Sequence, residues 1–107
     1  MKVKISVHVP LENADEVRTA LHTAGAGGMG NYTHCSFSYK GAGRFMPGMN
    51  SSPHIGESNK LEAVEEEVIE VVCERNKAKD VLKSVRQVHP YEEVPFEITQ
   101  LLDESEL

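Results

Sequence analysis

Residues 3–9 alternate strictly, with Val3, Ile5, Val7 and Val9 on one side and Lys4, Ser6 and His8 on the other. A period of two marks a strand with one buried face, and Pro10 ends it. The period then changes. Ala14, Val17, Ala20, Leu21 and Ala24 recur at helical spacing and make one apolar stripe. Asn13 is the expected N-cap, Glu16 the second half of a capping-box pair, and Gly25 the left-handed terminator. A glycine cluster over 25–30 separates this helix from renewed alternation over 32–39. There Thr33, Cys35, Phe37 and Tyr39 share one side, and Tyr32, His34, Ser36 and Ser38 the other, which predicts a second strand with Cys35 turned inward beside Phe37.

Residues 41–60 are rich in Gly, Pro, Asn and Ser and predict a long connection, within which Arg44–Met46 can add a short extended piece. Connections of this length in small domains are usually functional or mobile. Residues 67–74 place Ile69, Val71 and Cys73 on one face and Val68, Glu70, Val72 and Glu74 on the other, a third strand by its β-branched content. Leu61, Val64 and Val68 also fit helical spacing, so the start of this element stays open. Ala78, Val81, Leu82, Val85 and Val88 form the stripe of a second helix over 77–88, stopped by Pro90. Val94, Phe96 and Ile98 alternate in a last strand, where Pro95 points to an edge or a bulge.

The order is β-α-β-β-α-β. A ferredoxin-like α+β fold satisfies it with right-handed crossovers, as an antiparallel sheet with two helices on one face. Residues 1–101 then form a single domain, and 102–107 an acidic, solvated tail. The bare sheet face would carry Val68 and Val72 among Glu70, Glu74, His8 and His34, a mixed surface suited to self-association.

Charge narrows the partners. Seventeen Asp and Glu against 11 Lys and Arg give a net charge of −6 over 107 residues. The lysines are dispersed, with no basic stripe for a phosphate backbone, so nucleic acid is not an expected partner. The N-terminus is too short and too evenly alternating for a signal peptide. No apolar run approaches the ~20 residues of a membrane helix. A cytoplasmic location follows as the expectation, with Cys35 and Cys73 reduced.

The densest polar cluster is His89-Pro90-Tyr91-Glu92-Glu93. A histidine and two carboxylates suit acid–base work or metal ligation, and a braced helix-to-strand corner fits the same residues. Gly25-x-Gly27-x-x-Gly30 follows a helix and precedes a strand, the reverse of a dinucleotide site. The five histidines lack finger-like spacing, although His8 and His34 are expected to approach across the open sheet.

Four motifs carry a family resemblance: 25–37 (GAGGMGNYTHCSF), 41–47 (GAGRFMP), 53–56 (PHIG) and 89–93 (HPYEE). Together they resemble the domain inserted within Nif-three-like proteins, itself similar to the PII and CutA folds, from Met1 to about Leu101. In those proteins flanking lobes supply the ligands of a dinuclear metal site. None of those ligands lies on this stretch, so the resemblance carries over neither a hydrolase activity nor a metal ligand. It implies a non-catalytic, oligomeric module that binds a small effector or a protein partner, with a trimer as the expected assembly and a dimer next. It is silent on a cofactor. The candidate ligand-binding residues are Asn31, Tyr32, Arg44, His89, Tyr91, Glu92 and Glu93, with Asn31, Tyr32 and the 89–93 segment expected to share one pocket wall. The alternatives are a small enzyme using His89 with Glu92 or Glu93 as acid–base groups, and a CutA-like protein handling divalent metal.

Overall fold

The computed structural model describes residues 1–107. Strand β1 (Lys2–Pro10) leads through a 3-10 turn into helix α1 (Ala14–Thr23); β2 (Phe37–Phe45) and β3 (Glu62–Glu74) follow, then α2 (Ala78–Val88) and β4 (Phe96–Gln100). The four strands form one antiparallel sheet in the order β2-β3-β1-β4. This is the ferredoxin-like arrangement expected from the element order.

The alternation in β1 reads directly into the register. Val3, Ile5 and Val7 pair with Cys73, Val71 and Ile69, and these six share one buried cluster with Val17, Leu21, Val81 and Val85 from the two helices. Both helices therefore cover the same sheet face. Each fully buried valine, leucine or isoleucine contributes about 1.5–3 kcal/mol by leaving water. Across the layer, the Ser84 hydroxyl on α2 donates to the Ala20 carbonyl on α1 (3.3 Å). The Arg18 guanidinium ties α1 to Glu67 of β3 and to its own-helix Asp15.

Helix α1 ends as expected. Gly25 takes φ +107°, its N–H donates to His22 (3.1 Å), and the next N–H, from Ala26, donates back to Leu21 (3.0 Å). These are the two bonds of a Schellman motif. Its start differs from expectation. Asn13 makes no capping bond, and its Oδ1 is buried without a partner. The 3-10 turn Leu11–Asn13 leads into the helix instead, leaving Asn13 at φ −106°, ψ 1°, outside the extended geometry of an N-cap.

The second strand is shifted along the chain. It covers Phe37–Phe45, not 32–39. Gly30 and His34 take φ +56° and +61°, and Met29 and Tyr32 close a tight turn, so 30–36 cannot extend as a strand. The Gly41–Phe45 stretch pairs instead with Glu66–Glu62, and β3 runs 13 residues. Leu61 and Val64 thus precede or begin a strand, not a helix. Three consequences correct the earlier assignments. Cys35 lies outside the strand and is only half-buried. Phe37 and Tyr39, opposite Glu70 and Val68, sit on the uncovered face and are 66% and 49% exposed. His34 leaves the sheet and packs at 4.8 Å, tilted by 49°, against His22 of α1, whereas His8 stays in β1 opposite Val68.

Because β1 stops at Pro10 opposite Glu66, the Glu62–Glu65 end of β3 and its β2 partner project as a two-stranded arm. The molecule is correspondingly elongated, 48 × 27 × 23 Å. Strand β4 is an edge strand whose pairing is extended backwards by a bond from the His8 N–H to the Pro95 carbonyl (3.4 Å), as the proline implied. The tail carries a single exposed 3-10 turn, Glu104–Glu106, capped by Asp103. No helix is long and apolar enough to cross a membrane.

Candidate functional site

Helix α2 ends at His89, whose φ −74°, ψ 134° is the extended geometry that Pro90 imposes on its predecessor. That turn drives the imidazole under β1. His89 is 7% exposed and both ring nitrogens are committed: Nε2 lies 2.7 Å from the His8 carbonyl, and Nδ1 accepts the Tyr91 N–H at 3.1 Å. One tautomer satisfies both contacts, a neutral ring with its proton on Nε2. Burial lowers the His89 pKa below the ordinary 6.5, against the opposing pull of the His8 carbonyl and Glu66. His89 is therefore a latch between α2 and β1. An acid–base pairing with Glu92 or Glu93 has no free imidazole nitrogen to work with.

The latch aims Tyr91. Its ring packs at 4.9 Å from His89 and 6.3 Å from Phe45, and its hydroxyl donates to Glu66 Oε2 at 2.6 Å. Burial, then the bond to the Glu66 carboxylate, push the phenol pKa well above its usual range. Glu66 is itself 5% exposed. Its carboxylate lies over Gly43, where any Cβ would overlap Oε1. A side chain at that position would require the Glu66 carboxylate to move.

Around this pair opens a cavity of about 620 Å³. Its floor is Glu66, Tyr91 and half-buried His8; Phe45, Met46, Pro53 and Ile55 supply apolar wall; exposed Arg44, His54, Glu92 and Glu93 stand at the rim. The wall formed by the 46–55 loop is held in place. The Ser52 N–H donates to Glu92 Oε1 at 2.8 Å, and the Asn59 N–H closes the loop on the Pro47 carbonyl at 2.6 Å.

Arg44, Tyr91, Glu92 and Glu93 thus come together. Asn31 and Tyr32 do not join them. A bond from the Gly27 N–H to the Val72 carbonyl (2.9 Å) pins the glycine-rich segment to the other end of β3. That is roughly 20 Å from Glu66 at the ~3.3 Å rise of a strand residue. His89 supports the cavity without lining it. Sequence reasoning missed Glu66, His8 and the 46–55 wall. The available signal for Glu66 was its parity: it falls on the uncovered face, inside a Glu65-Glu66-Glu67 run opposite a glycine-bearing strand. No three His, Cys, Asp or Glu side chains converge closely enough to hold a metal ion.

No family model matches the chain. A GTP cyclohydrolase 1 type 2 homolog of Bacillus subtilis is 44% identical over 95 residues, 89% of this chain and 26% of the relative. A crystal structure of a Bacillus cereus protein related to NIF3 superposes with a TM-score of 0.81 at 41% identity, over 95% of this chain and 26% of that one. The chain is related to the NIF3 proteins through one segment of them. It spans about a quarter of the length of these NIF3 relatives. At the level of fold, the PII-like protein CutA from Nostoc sp. PCC 7120 matches with a TM-score of 0.68 and 13% identity over 100% of this chain and 86% of that one. The NIF3 segment and CutA thus share a ferredoxin-like architecture with this chain.

Proposed function

We propose that this NIF3-type domain is a non-catalytic, self-associating module that binds a small ligand in the Glu66–Tyr91 cavity. The observation that carries the reading is the division of labour in the 89–93 segment. His89 is spent on holding the corner, while Tyr91, Glu92 and Glu93 face or rim a pre-formed cavity. Mostly apolar clefts with a few convergent polar groups are the usual form of a small-molecule site. The acid–base alternative relied on His89, whose two ring nitrogens are both engaged. The activity named for the B. subtilis relative belongs to a protein more than three times as long.

Self-association is supported by the uncovered sheet face. Phe37 and Tyr39 stand exposed beside Val68 and Val72, next to a projecting arm whose outer edge is unpaired. A trimer is the favoured assembly and a dimer the next. Sedimentation velocity at low micromolar concentration should give an oligomer that Phe37→Asp combined with Tyr39→Asp dissociates. A wild-type monomer refutes the association. Metabolite fractions that bind the protein while shifting only amides outside residues 42–55 and 91–95 refute the cavity as the ligand site.

A further inference from the structure

Glu66 is a buried carboxyl group with no ion-pair partner. The ion pairs of this protein engage Asp15, Glu57, Glu67, Glu70, Glu74 and Glu97, and not Glu66. Oε2 takes the Tyr91 hydroxyl; Oε1 accepts no hydrogen bond and lies against Gly43, and the residue lines the cavity. A carboxylate removed from water loses more than one phenol bond returns, so buried carboxylates are normally paired with a cation. His8, Arg44 and His54 line the same cavity, but none of them forms an ion pair with Glu66.

The surroundings say what kind of cation fits. A metal ion needs several converging donors, and no such group exists. The Phe45 and Tyr91 rings, 6.3 Å apart and tilted by 54°, flank the same floor. Aromatic faces attract organic ammonium groups. Met46, Pro53 and Ile55 continue the wall as apolar surface, which suits a short aliphatic body; at the mouth Glu92 and Glu93 set two carboxylates against Arg44 and His54.

We propose that the cavity accepts the ammonium end of a small organic amine, seated on the Glu66 carboxylate between Phe45 and Tyr91. This rests on the cavity being the ligand site. Three probes with one hydrocarbon body separate the two ideas: hexylamine, 1-hexanol and hexanoate, titrated at pH 7 against the full chain with amide shifts as the readout. Hexylamine should shift the amides of Phe45, Glu66 and Tyr91 saturably and bind at least ~10-fold more tightly than hexanol, the return expected of a charge-assisted hydrogen bond. Glu66→Gln should remove most of that preference while leaving hexanol binding unchanged. If that variant fails to fold, the wild-type ranking of amine over alcohol decides alone. Tighter binding of hexanol or hexanoate at the same amides overturns the cation and keeps the site. Shifts at none of these amides with any probe at millimolar concentration overturn both.

Discussion

Replacing Tyr91 with phenylalanine removes one hydroxyl and leaves the ring contacts with His89 and Phe45 in place. The lost bond is to a carboxylate that is 5% exposed and has no other side-chain donor. Hydrogen bonds to charged groups are worth ~1.5–3 kcal/mol. Tyr91 is half-buried, so about 2 kcal/mol is the expected loss. At ~2.1 cal/mol/K of unfolding entropy per residue, that is a fall in Tm of about 9 °C for a chain of this size. The control is Glu66→Gln, whose amide oxygen still accepts from the phenol but without charge. In that background Tyr91→Phe should cost only ~1 kcal/mol, the value of a neutral bond, leaving a coupling of about 1 kcal/mol. Urea and thermal melts at matched protein concentration measure all four proteins, because association would make stability depend on concentration. A cost below ~0.5 kcal/mol, or the same cost in both backgrounds, refutes the Tyr91–Glu66 bond as the organising contact of the cavity.

Two further predictions test the scaffold. Val7→Asp places an unpaired charge at a position with 0% exposure, between Ile69 and Phe96, and should cost roughly 4 kcal/mol or more; a variant that melts like the parent means the facing of β1 is wrong. His89 titrates lower in the folded protein than in the unfolded chain, because burial outweighs the pull of the His8 carbonyl and Glu66, with His54 adding to the lowering. As pH falls below ~6.5 the unfolded chain takes up that proton first, so stability should decline until the folded pKa is passed and then level for this group. His89→Gln should show a shallower stability slope between pH 7 and 5 in urea melts; parallel slopes refute the buried neutral ring.

The elements whose pattern agrees with their tertiary role were legible from residues alone. Val3 to Val9, the stripes of both helices, Gly25 and Pro90 each have one physical reading, and the structure follows it. So is the fold they imply, because β-α-β-β-α-β order with one apolar sheet face leaves few ways to bury that face. The second strand was misplaced because 32–39 alternates as well as 37–45 pairs. Alternation is a local property, whereas strand formation at Gly41–Phe45 depends on β3 extending to Glu62 to offer partners. The candidate site divides along the same line. Tyr91, Glu92 and Glu93 of the 89–93 motif line the cavity, and a proline after a helix set the backbone of His89. Which member of the motif faces solvent, which latches and which meets Glu66 followed only from bringing β1, β2 and β3 against it. Residues 8, 43, 66 and 91 are far apart in the chain; the antiparallel register brings the first three together, and the His89 latch brings Tyr91 to them.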